Sequence, residues 1–286
     1  MSHVKMNALH LHLTDDQSWP VYIPELPVIT NKTAYSPVAI YTAEDLRDLV
    51  AFGRLRGVIV FPEIDFPSHS SGLFAALPAL GCQVGAPGQT YPALIDPLYP
   101  DLMSNLASIF GALNDVFPPS YPFHIGGDEV ERGLFNNCSN AIAFAASRNV
   151  TGDISTFVTA WFERSLYEML IAPPFNRRVM AWSDVGAGLV DETWTNVSTN
   201  LILEQWDGAP GVWTWDTCAS LSVFNASVVM AGPFSILHWP VPQDDYVDLW
   251  NITCLWVPLP QTQTDHARAR AHHAHHALTA TRTARP

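Results

Sequence analysis

The sequence predicts an α/β fold of parallel strands closing toward a (β/α) barrel, and three observations predict it. Short apolar runs recur along the chain, amphipathic stretches separate them, and acidic or aromatic residues stand at their C-terminal ends. The runs are ALHLHL (8–13), GVIVF (57–61), FHI (123–125), RVMAW (178–182), LILEQW (201–206) and SVVMA (227–231). Apolar segments this short and this continuous suit strands buried on both faces, as parallel strands are. Alternation with helical segments then calls for repeated βαβ crossovers, and six strands exceed a small sandwich.

Two of the intervening helices can be read residue by residue. Thr42 is placed as an N-cap, Glu44 and Asp45 follow in the first turn, and Leu46, Leu49 and Val50 share a face. Farther on, Ile154, Phe157, Val158 and Trp161 stand at i, i+3, i+4 and i+7, the stripe of an amphipathic helix.

Bulk properties narrow the function. The 286 residues suffice for one large α/β domain or two small ones, and the 48% hydrophobic content with 10 Trp indicates a globular core. A formal net charge of −13 with only 14 Lys and Arg argues against a nucleic-acid partner or a polybasic membrane anchor. No apolar run approaches the roughly 20 residues of a membrane span. The opening MSHVKMNALHLHL lacks the order of a signal peptide, yet Asn-X-Ser/Thr sequons at Asn31, Asn137, Asn149, Asn196, Asn225 and Asn251 point to the secretory route. Lysosome, vacuole or extracellular space is the expected location, with the natural N-terminus then upstream of Met1. Cys82, Cys138, Cys218 and Cys254 have no CxxC spacing, which leaves one or two disulfides as their expected use. Residues 1–260 read as the barrel domain. The tail 261–286, rich in Ala, His, Arg and Thr without an apolar face, reads as disordered or as translated non-coding sequence.

In a barrel the chemistry lies where strands end and βα loops begin. Asp15 and Asp16 follow the first run, Glu63, Asp65 and His69 the second, Asp128 and Glu129 the third, while Trp182 and Trp206 close the fourth and fifth. Carboxylates accept from sugar hydroxyls and an indole covers the C–H face of a ring, so these residues describe a carbohydrate pocket. His10-Leu-His12 has the spacing of a metal-ligating pair, but only His69 and His124 remain to complete a set. Core or supporting histidines are expected instead, with no metal and no cofactor.

The stretch HIGGDEV (124–130) puts two carboxylates side by side. In a regular strand they would point to opposite faces, and Gly126 and Gly127 permit the departure that lets both serve one pocket. An acidic turn after a buried strand is the plainer reading. Glycoside hydrolysis ordinarily uses two carboxyls from separate elements about 5 Å or more apart. Adjacent ones suit a reaction whose nucleophile belongs to the substrate: a 2-acetamido sugar attacks its own anomeric carbon, one residue orients the amide and the next protonates the leaving oxygen.

VKMNALHLHLTDDQSWP, RLRGVIVFPEIDFPSH, FHIGGDEV, AWSDV and LEQWDG, in that order, resemble the successive strand-end blocks of the β-N-acetylhexosaminidases of glycoside hydrolase family 20. The resemblance covers roughly residues 3–235. It implies a (β/α)8 TIM barrel, of which strands 2–7 are recognisable here, and retaining, substrate-assisted hydrolysis of terminal β-linked GlcNAc or GalNAc. Carried over by position, Asp128 orients the acetamido group and Glu129 is the general acid/base. Asp15, Asp65 and His69 form the polar network beside the acid, and Trp182 and Trp206 wall the sugar. The acid is expected to be partly desolvated so that it stays protonated. The resemblance also implies an N-acetylhexosamine-bearing glycan as partner and a homo- or hetero-dimer in the full-length form.

Several departures from the family pattern stand in the sequence. GPFSILHW places Phe234, Ser235 and Leu237 where the family carries Trp, a phenol donor and a polar sugar ligand. The blocks of the first and eighth strands are absent, so an open barrel that folds poorly alone is expected. Cys82 resembles one half of a family disulfide whose partner position holds Leu134, with Cys138 nearby. An enzyme and a related protein that binds the sugar without efficient turnover are both compatible with these residues.

Overall fold

The computed structural model describes residues 1–4, 6–83, 90–130, 132–182, 184–185, 201–205 and 227–230. Trp206, Cys218, Cys254, the block at Phe234, Ser235 and Leu237, and the tail from Gln261 lie outside the described residues. In chain order the strands are β1 (Ala8–His12), β2 (Ile59–Glu63), β3 (Gly81–Gln83), β4 (Thr90–Ile95), β5 (Phe123–His124), β6 (Val179–Trp182), β7 (Leu201–Gln205) and β8 (Ser227–Met230). The helices are α1 (Pro27–Thr33), α2 (Ala43–Arg54), α3 (Ser71–Ala76), α4 (Leu102–Asn114), α5 (Ser139–Ala146) and α6 (Ile154–Ile171). One parallel sheet runs in the order β1-β2-β5-β6-β7-β8, and helices occupy the crossovers as far as β6. Among the described residues these are six strands of a (β/α)8 barrel, and each of the six apolar runs supplies one of them.

Local chemistry sets the boundaries. At the start of α2, Thr42 Oγ1 accepts from the Asp45 amide at 3.2 Å and the Asp45 carboxylate accepts from the Thr42 amide at 2.8 Å, a reciprocal capping box. Leu46 and Val50 of the expected face are buried and Leu49 packs beside them. Beyond α2, Gly57 takes φ +69° and the Val58 amide donates back to the Gly53 carbonyl at 2.9 Å, which ends the helical turn. The strand therefore begins later than its apolar run and continues to Glu63.

Helix α6 serves two cores. The stripe of Ile154, Phe157, Val158 and Trp161 packs with Phe135, Phe144 and the Cys82–Cys138 disulfide, whereas Phe162, Leu166 and Leu170 face the barrel core with Phe66, Phe110 and Phe123. Its N-cap is Asp153, whose carboxylate accepts from the amides of Ser155 and Thr156 at 3.0 and 3.2 Å. The antiparallel pair β3–β4 was not expected from the sequence. Its second strand contains Pro92, which removes a ladder donor, and the pair forms an excursion outside the barrel sheet. The bridge shows that Cys82 pairs with Cys138, one helical turn beyond the position that the resemblance implied.

Arg177, only 1% exposed, closes the turn between α4 and β5. Its guanidinium donates to the carbonyls of Asn114, Phe117, Pro118 and Tyr121 and to Asn114 Oδ1, and lies 4.4 Å above the Phe123 ring. Of these contacts the one to the Phe117 carbonyl is buried. Arg177→Ala is expected to lower the free energy of unfolding by about 3 kcal/mol or more, and urea unfolding followed by circular dichroism checks it; a loss under about 0.5 kcal/mol would mean that solvent replaces the side chain.

Candidate active site

Strand alternation builds the barrel interior in layers. Phe61, Met180 and Ile202 form an apolar floor. Above it His10, His12, Glu63, His124, Trp182 and Glu204 turn inward, because the parallel register sets His12 beside Glu63, Glu63 beside His124 and Trp182 beside Glu204. Glu63 is the centre of this layer and is 1% exposed. Its carboxylate lies 2.7 Å from His10 Nε2, 2.9 Å from His12 Nδ1 and 3.3 Å from His124 Nδ1, and accepts from Trp182 Nε1 at 2.8 Å. Burial pushes the carboxyl up, but the charge of His124 and the three imidazole contacts hold it well below the usual carboxylate range. His12 is the converse case. Burial lowers its basicity, yet contacts with Glu63 and then Asp15 raise it to about 9.

The donors His10, Glu63 and His124 are close enough together to suggest a metal set, as are His12, Glu63 and Asp65. The 2.7 and 2.9 Å separations from Glu63 to His10 and His12 are direct contacts, too short for an ion bound at about 2 Å by each donor in tetrahedral array. Glu63 thus contacts His10 and His12 directly, while Nε2 of His10 and of His124 makes no hydrogen bond of good geometry among the described residues.

At the mouth, Asp15 Oδ2 lies 3.2 Å from His12 Nε2, and Asp15 Oδ1 lies 3.7 Å from His69 Nδ1. The other nitrogen of His69 stands between the two adjacent carboxylates, 3.4 Å from Glu129 Oε2 and 3.7 Å from Asp128 Oδ2. These are ion-pair separations longer than a good hydrogen bond. Asp16, next to Asp15, takes a different part: it accepts from the Ser71 amide at 2.9 Å, joining the first strand-end loop to α3.

The double glycine makes the convergence possible. Gly126 and Gly127 take φ +67° and +92°, and Glu129 follows at φ +52°, so the chain leaves strand geometry over this stretch. There is no room for side chains either: a Cβ on Gly126 would fall 1.8 Å from Asp65 Oδ1, and one on Gly127 2.3 Å from Val185 Cγ2. Asp65 accepts from the Gly127 amide at 2.9 Å, and Ser68 donates its hydroxyl to the Asp128 carbonyl. Asp65, 1% exposed, is pushed well above the ordinary carboxylate range by burial and by the charges of Asp128 and Glu63. Asp128 is also raised, by burial first, while its contact with Asp65 lowers it. Both shifts run toward the protonated form. Asp65 Oδ2 and Asp128 Oδ1 are buried without a hydrogen-bond partner among the described residues.

Asp15, Asp65, His69, Asp128 and Glu129 are thus brought together, and Trp182 lies in the interior layer against Glu63, His10 and His124. Glu129 is 60% exposed, so the desolvation expected of it is not met. Sequence reasoning missed Asp184, whose carboxylate accepts from the Glu129 amide at 3.4 Å, and Glu204, 3.5 and 3.6 Å from His10 and His124. Glu204 had a signal: an acidic residue two positions after Ile202 in a buried strand shares its inward face. Asp184 had none beyond its place after β6.

Carboxylates and an imidazole brought together at the strand ends of a parallel α/β barrel fit a glycoside hydrolase. The chain belongs to glycosyl hydrolase family 20, whose catalytic domain matches residues 1–232. A beta-hexosaminidase of Emericella nidulans is 32% identical over 230 residues, spanning 71% of this chain and 35% of that protein. The beta-hexosaminidase subunit alpha of Rattus norvegicus is 34% identical over 155 residues, 53% of this chain and 29% of the relative. This chain therefore spans about a third of the length of these relatives. Among solved structures, the chitobiase of Flavobacterium johnsoniae superposes with a TM-score of 0.69 at 24% identity, over 91% of this chain and 37% of that one. The exo beta-N-acetylglucosaminidase of Vibrio harveyi, in complex with N-acetylglucosamine, gives 0.64 at 24%, over 80% and 37%.

Gly126→Ala combines a left-handed backbone with a collision against Asp65, and is expected to cost about 2 kcal/mol or more. A lower urea midpoint at unchanged slope checks this, and a wild-type midpoint would show that the loop takes up a methyl freely.

Proposed function

We propose that this protein hydrolyses terminal, non-reducing β-linked N-acetylhexosamine, GlcNAc or GalNAc, with retention and with the substrate's acetamide as nucleophile. The observation that carries this reading is the position of His69 Nε2 between Asp128 and Glu129, at 3.7 and 3.4 Å: adjacent carboxylates face one site and differ in burial, 19% against 60% exposed. In the first step the acetamide oxygen bonds to the anomeric carbon as the bond to the leaving oxygen breaks, and Glu129 delivers its proton to that oxygen. Asp128 accepts a hydrogen bond from the amide N–H and opposes the positive charge that grows on the oxazolinium ring. In the second step Glu129, now a carboxylate, removes a proton from water as the water attacks the anomeric carbon, and the acetamide is restored.

The remaining residues bind and orient. Asp15, Asp65 and His69 hold the two carboxylates, with Asp65 buried beneath the double glycine. Trp182 is assigned to the sugar ring and its acetamido methyl, and its indole is fixed through Nε1 by Glu63 at 2.8 Å; Trp206 is assigned the same role from its place in the LEQWDG block alone. A sugar seated here supplies the desolvation that the exposed Glu129 carboxylate needs. A second reading, a sugar-binding relative without efficient turnover, draws its support from Phe234, Ser235 and Leu237: losing one oriented donor to the acetamido oxygen costs on the order of 10²–10³ in rate.

A chromogenic β-GlcNAc substrate and a thiazoline analogue of the oxazolinium separate the two. Turnover that Glu129→Gln reduces by about 10²–10⁴ is the expected result; thiazoline binding without turnover would select the second reading, and neither would refute both.

We further place the protein on the secretory route. The sequon residues Asn31, Asn137 and Asn149 are all exposed, and a Cys82–Cys138 disulfide belongs to an oxidising compartment. Secreted from a eukaryotic host, the protein is expected to lose mass on peptide-N-glycosidase treatment, with smaller losses as each of these asparagines is changed to Gln; a mass that the enzyme leaves unchanged removes this support.

A further inference from the structure

We propose that Glu63 and His12 are positioning residues for this site: Glu63 holds the His12 ring from the barrel interior, and the ring holds Asp15 toward His69 and the carboxylate pair. Acidic and imidazole groups alternate in the order Glu63, His12, Asp15, His69, Glu129, at 2.9, 3.2, 3.7 and 3.4 Å, the first two at hydrogen-bond distance and the last two at longer ion-pair separations. Each imidazole turns one ring nitrogen toward each neighbouring acid. The line joins the most buried carboxylate of the interior layer to the most exposed one at the mouth.

Asp15 is 40% exposed, and solvent can pull its carboxylate away from His69. His12 counters that pull because its own orientation is set from below. The groups that face His12 among the described residues are Glu63 from β2, Asp15 from the loop after β1 and Asp65 from the loop after β2. Glu63 faces His10 of β1, His124 of β5 and Trp182 of β6 in turn. The same buried carboxylate therefore acts on two sides of the mouth, through His12 on the Asp15 side and through the indole nitrogen on the Trp182 side. With the Glu63 charge removed, His12 loses its strongest acceptor and titrates within the working pH range, and Asp15 then lacks a cationic partner above that midpoint.

This inference rests on the proposed sugar site for its consequence, but not for its first test. Histidine NMR titration of the full chain needs no substrate. His12 is expected to titrate at about 9. In Glu63→Gln, which keeps the volume and an acceptor for Trp182, its midpoint falls below about 7, and in Asp15→Asn it falls by less. A His12 midpoint that stays near 9 in Glu63→Gln overturns the proposal. The second test is thiazoline affinity. For Glu63→Gln the ratio of variant to wild-type dissociation constants rises about tenfold between pH about 5 and pH about 8.5, whereas His12→Gln shows the weakened value throughout. A loss of affinity equal at every pH in Glu63→Gln would mean a structural role only and overturns the proposal. If Glu63→Gln does not fold, His12→Gln decides: wild-type affinity overturns the proposal, and about tenfold weakening at an unchanged thermal midpoint supports it. Absence of thiazoline binding by the wild-type protein defeats the proposed function, while the titration still decides the link between Glu63 and His12.

Discussion

Burying a single carboxylate costs several kcal/mol unless charges and donors of good geometry replace the lost water. Glu63 meets that requirement with three imidazoles and an indole drawn from β1, β5 and β6. The demand reaches beyond the side chains. With a side-chain period of two, a one-residue slip of β1 against β2 would turn His10 and His12 away from Glu63 and leave the charge uncompensated. An apolar interior would tolerate such a slip more easily. The polar layer therefore fixes the register of the strands, and with it the height at which each strand end releases its functional loop.

The second determinant is steric. Gly126 passes against Asp65 so closely that no Cβ fits, which brings the backbone after β5 down onto the loop after β2. Asp65 accepts from the Gly127 amide, and Ser68 donates to the Asp128 carbonyl. Backbone conformation and the unequal burial of two neighbouring acids thus have one origin. Asp128 is drawn into the wall, and Glu129, at φ +52°, is left in the opening.

Legibility in the sequence follows the same division. Features of strong local periodicity could be read: the six apolar runs, the Thr42 cap and the stripe on α6 all carry their own signal. The double glycine could be read as a departure from strand geometry because no other residue takes those φ values at so little cost. What escaped was contextual. β3–β4 carries a proline and lacks an apolar run, so nothing local announces a strand pair. Asp184 contributes through a backbone amide of another element. Glu63 was visible as one more polar residue at a strand end, but its central place emerges only when three other strands supply its partners. His12 was read as a supporting residue by elimination, without the acid that it supports.

The Cys82–Cys138 bond bears on Glu129 in a way that sequence separation obscures. The segment that carries the acid leaves β5 after Ile125, whose amide is still tied to the Met180 carbonyl at 2.9 Å, and is pinned again at Cys138. Between these anchors lie a dozen residues, with a covalent stay to the preceding βα excursion at the far end. Glu129 therefore stands on a stretch held at both ends, and because the far tether is covalent, an oxidising medium keeps that stretch joined to the preceding βα excursion.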